Sequence, residues 1–419
     1  MTDYTKMTKE ELLNEQKQLL KRFEEYKAMG LSLDMSRGKP SKEQLDLSMD
    51  LLKPIEYVDN GIDVRNYGLL DGIPSCKALF AELMGVEAKN IIIGPSASLN
   101  LMFDYICQCY TSGVLGSTPW CKLDKVKFLC PVPGYDRHFT ILEHFGIEMI
   151  NVPMTADGPD MAFISEQVKD DAVKGMFCVP KYSNPQGITF TDEVVEQIAA
   201  LKPAAEDFRI IWDNAYCVHD IKEDGDTLLN IFDVLPKYNN EDMVIEVCST
   251  AKMTFPGAGV SALAASDANI AQIKARLNCE TISYDKMNQL RHVKFFGNLD
   301  GIKAHMKKHA ALMKPKFDMV IEHLENELGG RGIASWLDPN GGYFISLDVM
   351  NGCAKRVGDL CKEAGVTLTT VGATYPYGND PNNSNIRIAP SFPPVAELDL
   401  AAQILCVSVK LACIEKLVG

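Results

Sequence analysis

Apolar residues recur at helical spacing through Leu12, Leu13, Leu19, Leu20 and Phe23, which predicts an amphipathic first helix. Thr8 stands where it can cap that helix, and Glu11 three residues on completes a capping-box pattern. Gly30 ends it after about Met29. Farther along the period changes. Short apolar runs at 91–93, 126–130, 147–152, 173–179, 208–213 and 243–249 read as buried strands. Helical patterns fall between them, at 74–84 behind Pro74, up to about Tyr110, and at 135–145, 161–168 and 191–201. Strands that alternate with helices predict an α/β fold, with a mainly parallel sheet flanked by helices. Ligands of such sheets bind beyond the carboxyl ends of the strands.

After about residue 300 the texture changes. A long amphipathic helix at 302–328 is followed by a strand at 343–349, a helix at 354–364, strands around Val366 and Ile386, and a last helix at 396–417. This predicts a smaller α+β domain over 301–419, joined by the helix and loop of 1–50, beside a large α/β domain over 51–300. His305 and His309 are spaced to share a helix face, but no third metal ligand accompanies them and Lys303, Lys307 and Lys308 surround them. A solvated face is the expectation there, and no metal site is predicted. There is no internal repeat or low-complexity segment.

Composition narrows the class. The 419 residues are 46% hydrophobic and 23% charged, as in ordinary soluble globular chains. No apolar run approaches the roughly 20 residues of a membrane span, so no membrane role is expected. Residues 1–27 are rich in Lys and Glu with no apolar signal core, which makes a cytoplasmic location the default. A net charge of −14 argues against nucleic acid as a partner, because phosphate binding needs a basic footprint. The 13 cysteines include no CxxC pair, so neither a zinc site nor a disulfide framework is indicated.

The distinctive residues sit just past predicted strand ends: Ser96, Tyr135, Asn184, Asp213 and Lys252. The small-residue turn 94–100 lies between a strand and a helix. Its unpaired first-turn N–H groups suit an anion, and an ordinary cap on Ser96 or Ser98 is the equal alternative. The loop 34–40 sets Arg37 and Lys39 around Gly38, either to hold an anion or as a solvated turn. Lys252 lies between small hydroxyl residues and a Pro/Gly-rich loop, where a lysine amine can act as a covalent nucleophile, although for a lone lysine a solvated loop residue is the plainer reading. Gly257-Ala258-Gly259 is no dinucleotide fingerprint, since it lacks the third glycine.

Four motifs stand in order: Ser183-Asn184-Pro185-Gln186-Gly187, Asp213-Asn214-Ala215-Tyr216, Ser249-Thr250-Ala251-Lys252 and Asn385-Ile386-Arg387-Ile388. With them the chain resembles the fold-type I, pyridoxal-phosphate-dependent aminotransferases of class I/II over nearly its whole length. The stretches 36–40, 133–139 and 252–260 resemble those of the bacterial type Ic aspartate aminotransferase subgroup. The resemblance implies pyridoxal 5'-phosphate as cofactor, with Lys252 as its Schiff-base lysine and proton carrier. Asp213 would pair with the pyridinium nitrogen, and Asn184 and Tyr216 would bond the phenolic oxygen, Asn184 also lining the substrate side. Ser96, Ala97 through its N–H, Ser98 and Ser249 would hold the phosphate, and Tyr135 would stack on the ring. Tyr67 would reach the phosphate in a neighbouring subunit, implying a homodimer with shared sites. Arg387 would bind the substrate α-carboxylate, and Gly38 would belong to a mobile loop near it.

Many relatives carry a phosphate-facing arginine eight residues after the lysine, where this chain has Val260. The cation reading a substrate side chain is not placed by the resemblance; Arg37, Lys39 and Arg137 are candidates. The implied reaction converts L-aspartate and 2-oxoglutarate to oxaloacetate and L-glutamate by ping-pong transfer. Its rivals are an aromatic or broad-range aminotransferase, a C–S lyase or a β-decarboxylase on the same scaffold. A cofactor-sensing regulator is a further rival, disfavoured by the charge and by the single helix ahead of the first motif.

Overall fold

The computed structural model describes residues 2–419. Eight strands share the main sheet, in the spatial order Ile91–Ile93, Ser261–Ala264, Val244–Ser249, Arg209–Asp213, Val173–Cys178, Lys127–Val132, Glu148–Thr155 and Gly158–Pro159. The run from Val244–Ser249 to Glu148–Thr155 is parallel, as the alternation predicts. Its central strands are covered on both faces, which is why they read as continuous apolar runs rather than alternating ones. Ile210, Ile211 and Trp212 are all buried.

Several elements escaped the pattern reading, a strand and two helices after the lysine loop among them. Ser261–Ala264 runs antiparallel between Val244–Ser249 and Ile91–Ile93, and the helices Asp267–Glu280 and Lys286–Phe296 follow it. A four-residue strand of Ser and Ala carries little β signal. The chain reverses tightly after the lysine loop, so its return strand must run antiparallel.

A three-stranded antiparallel sheet of Ala334–Trp336, Ile345–Val349 and Asn385–Ile388 lies in the later part of the chain. The first helix, Lys9–Ala28, and the long helix, Leu299–Leu328, both pack on the last helix, Val395–Val418. That last helix is apolar nearly all round because it is enclosed nearly all round. The first helix starts on the expected capping box: Thr8 accepts from the Glu11 N–H, and the Glu11 carboxylate accepts from the Thr8 N–H at 2.7 Å. Leu33 pairs in parallel with Val366, which ties the N-terminal segment to the C-terminal part.

His305 and His309 do not lie on a solvated face. They are 5% and 1% exposed, on the stripe of the long helix that also buries Ile302, Met306 and Met313. The lysines between them occupy the outer side of the same turns. His305 Nε2 is 2.8 Å from the Met253 carbonyl and 3.1 Å from His309 Nε2. His309 Nδ1 is 3.1 Å from Gln44 Nε2, and Gln44 also reaches the Tyr343 hydroxyl. Tyr343 in turn donates to the Lys252 carbonyl at 3.1 Å. A polar chain thus runs from the long helix to the backbone of the lysine loop. No cluster fit to hold a metal occurs among the described residues.

Burial pushes both imidazoles below their ordinary 6.5, His309 to about 4. Below pH 6.5 the unfolded chain takes up protons that the folded chain refuses, so stability falls as pH drops from about 6.5 towards 4. His309 alone accounts for about 2 kcal/mol lost between pH 7.5 and 5. Urea midpoints of the protein and of His309→Gln, measured across that range, should differ in slope, the variant being flatter. Equal slopes would place the acid sensitivity elsewhere.

Candidate active site

Asp213 ends its strand with a carboxylate only 2% exposed. His138 Nε2 lies 3.0 Å from Asp213 Oδ2. A carboxylate can only accept, so the imidazole donates. The His138 ring lies flat on Phe177, with centroids 4.4 Å apart and planes 9° from parallel. The other oxygen, Oδ1, is enclosed with no protein partner. A buried, ionised acceptor without a donor is costly, so such an atom points to a ligand that brings one. His138 was part of a quoted motif but had no assigned role; its place behind Asp213 comes only from tertiary packing.

Lys252 closes a short 3-10 turn, Thr250–Lys252, just past its strand. Its ammonium sits 4.6 Å from the centroid of the Tyr216 ring. Tyr216 is fully buried, and burial drives its phenol above its ordinary value, with Arg387 opposing and Asp213 reinforcing the shift. Tyr135 is raised the same way, again mainly by burial, with Lys252 lowering it and Asp213 and Tyr216 raising it. These four side chains therefore share one electrostatic neighbourhood.

The lysine loop is fastened to the small-residue turn before the Ser98–Ser112 helix. Ser249 Oγ donates to the Ser96 carbonyl at 2.7 Å and accepts from the Ala251 N–H. Both the N–H and the hydroxyl of Ser261 donate to the Pro95 carbonyl. A Cβ on Gly259 would come within 2.9 Å of the Ser96 carbonyl oxygen, so the two backbones touch there. Neither Ser96 nor Ser98 caps the helix. Ala97 holds the cap position without a side-chain bond, leaving the half-buried first turn free to donate.

Val260 answers the question of the missing arginine. Its side chain is buried among Ile73, Ile93 and Cys248, and its N–H donates to Thr250 Oγ1 at 2.9 Å. This position belongs to the core beneath the loop, so a guanidinium would have to displace apolar packing. Ser249, proposed as a phosphate hydroxyl, already spends its proton on Ser96.

Arg387 is 8% exposed on the Asn385–Ile388 strand. Its Nη1 donates to Asn184 Oδ1 and to Asp136 Oδ1, both at 3.2 Å, and its Nε to Thr369 Oγ1 at 3.3 Å. None of these bonds uses Nη2. The guanidinium lies 4.7 Å from the Phe344 ring centroid. The opposite constraint on that ring is Gly38, where a Cβ would fall 2.4 Å from Phe344. Asp136 and Phe344 are participants that the sequence reading did not single out.

The remaining candidates are less buried. Tyr67 is 82% exposed and stands off the surface of its own chain. Arg37 and Arg137 are exposed, and Lys39 sits 3.7 Å over the Phe392 ring. Gly38→Ala should force Phe344 aside and loosen Arg387, at about 1–3 kcal/mol for overpacking. Thermal unfolding should show a Tm lowered by several degrees; an unchanged Tm would mean the loop yields freely.

Comparison with known proteins places this geometry. The sequence pattern of the Aspartate amino-transferase family matches residues 7–419. The chain is 46% identical over 400 residues to an aspartate aminotransferase of Corynebacterium glutamicum, covering 94% of this chain and 93% of that one. It superposes on the crystal structure of an aspartate transaminase from the same species with a TM-score of 0.97, at 44% identity and 99% coverage of both chains. A putative aminotransferase from Corynebacterium diphtheriae gives a TM-score of 0.93 at 48% identity, covering 95% of this chain and 100% of that one. With its fold, its strand-end residues and these relatives in agreement, the chain belongs to the aspartate aminotransferase family.

Proposed function

We propose that the site holds pyridoxal 5'-phosphate and moves the amino group of L-aspartate to 2-oxoglutarate, giving oxaloacetate and L-glutamate. The observation that carries this reading is the buried Asp213 pair: one oxygen fixed by His138, the other enclosed without a partner. That arrangement suits a protonated ring nitrogen and little else. The cofactor supplies a carbonyl for covalent attachment of amines and a ring that withdraws electrons from the attached carbon.

The chain's own residues do the rest. Lys252 supplies the amine that holds the cofactor covalently and, once released, carries the proton between the substrate Cα and the cofactor C4′. Asp213 Oδ1 accepts from the ring N–H and keeps it protonated, while His138 prevents the carboxylate from turning away. Asn184 and Tyr216 serve the phenolic oxygen, and Tyr135 the ring face. The open helix turn at Ser96, Ala97 and Ser98 takes the phosphate. Ser249 contributes by shaping that turn.

Arg387 binds the substrate α-carboxylate through the donors it can free from Asp136. Arg37, exposed beside Gly38, is our candidate for the distal carboxylate. The exposed Tyr67 fits a role in the neighbouring subunit, in a homodimer with shared sites.

Purified protein loaded with the cofactor should change its absorbance from the aldehyde form to the amine form with aspartate or glutamate. A response only to aromatic or sulfur amino acids would overturn the substrate assignment. Borohydride reduction followed by peptide mapping should place the cofactor on Lys252, and Lys252→Ala should lose both the label and turnover. Arg387→Gln should lower kcat/KM for aspartate about 100-fold or more, as for loss of a buried charge partner worth about 2–5 kcal/mol.

A further inference from the structure

A large cavity lies away from Lys252. It measures about 960 Å³ and opens between the main sheet, the segment 217–231 and the long helix. Side chains alternate across a strand, so Trp212 and its cross-strand partner Glu246 share the face opposite Asp213 and Val247. That is the face the cavity lies on, and none of the residues assigned to the proposed catalytic site lines it.

Its floor is polar and deep. Glu246 is 3% exposed, and burial pushes its carboxyl up to about 8, so it is largely neutral at pH 7. Asn214 Nδ2 donates to Glu246 Oε1 at 2.9 Å, and the side-chain amide oxygen Oδ1 of Asn214 is enclosed with no protein partner. An enclosed acceptor beside a cavity calls for a donor from whatever fills it. The walls are apolar, with Leu83, Trp212, Val218, Leu229 and Met306.

The mouth carries both signs, with two lysines left unpaired among the described residues. The acids there are mostly committed: Glu82 accepts from the Leu299 N–H, Asp220 from Lys181 and Tyr182, and Asp226 from Asn340. Lys222 and Lys314 are paired with Asp338 and Asp318. Lys303 and Lys307 stand one turn apart on the long helix, both exposed, with no salt-bridge partner among the described residues. Against them stand Glu223 and, with only neutral hydrogen-bond donors as partners, Glu82 and Asp226. A volume of this size falls in the roughly 300–1,000 Å³ range of small-molecule sites, well beyond what a single amino acid fills.

We propose that this cavity is a second small-molecule site, for an organic anion with a ring-bearing apolar body and an N–H or O–H donor at its far end. The anionic group meets Lys303 and Lys307, the ring packs on Trp212 and Met306, and the donor reaches the side-chain amide oxygen of Asn214. The proposal does not rest on the transamination reading, because no catalytic residue takes part in it.

Calorimetric titration of the full-length, cofactor-loaded protein with indole-3-propionate tests it, since that probe carries a carboxylate, a ring and an N–H. Its primary amide lacks the charge, and its 1-methyl derivative lacks the donor. Each should bind at least tenfold more weakly than the parent, and hexanoate, which lacks the ring, should do likewise. The double variant Lys303→Glu/Lys307→Glu, both exposed, should keep its Tm and transamination but lose the probe at least tenfold. Arg387→Gln should bind the probe as the parent protein does. Absence of binding, or equal binding of the four compounds, would overturn the proposal. So would binding that survives the lysine reversal and disappears in Arg387→Gln, which would place the probe at the catalytic site.

Discussion

The site depends on one backbone clamp. Thr250 donates its N–H to the Val260 carbonyl, and its hydroxyl accepts from the Val260 N–H. These two bonds close the lysine loop into a ring and start the antiparallel return strand. Gly259 then lets the loop rest directly on the Ser96 carbonyl, and Ser249 and Ser261 bolt the two turns together. Lys252 is therefore fixed relative to the open N-terminus of the Ser98–Ser112 helix by main chain, and side-chain packing plays a lesser part. Val260 is part of the clamp and of the core beneath it.

The Arg209–Asp213 strand has a second consequence. Successive residues face opposite sides of the sheet, so Asp213 and Asn214 serve different compartments one peptide apart. On one side the Asp213 carboxyl is held by an imidazole that lies flat on Phe177. On the other the amide is paired with the Glu246 carboxyl, which burial keeps largely neutral.

Much of this was legible in the sequence, and the reasons are local. The strand runs, the capping box on Thr8 and the helix behind Pro74 are read from neighbours in the chain, and they appear in the structure. The strand-end rule picked out Ser96, Tyr135, Asn184, Asp213 and Lys252 for the same reason. Legibility failed where long-range packing decides. Ser261–Ala264 is a strand because two neighbours hold it, and its own residues barely argue for it. His305 and His309 read as solvated because nearby lysines mask a stripe that only the helical period reveals. The partners of Asp213 and Arg387, His138 and Asp136, lie far from them in sequence, and nothing local marks the pairings.

Asp136 also bears on how an arginine can wait, largely buried, for an anionic substrate. An isolated guanidinium held at 8% exposure would be costly, since burial of an unpaired charge is opposed by several kcal/mol. Arg387 avoids that cost by bonding Asp136, Asn184 and Thr369 and lying near the Phe344 ring. Under the proposed function an incoming carboxylate need only exchange for Asp136, whose side chain is 31% exposed and can turn back to water. The exchange is nearly balanced in charge, so Arg387 stays paired before and after the substrate arrives, and its removal leaves the incoming carboxylate without a partner. The α-carboxylate is common to all amino acids, so selection among them rests on contacts to the rest of the substrate.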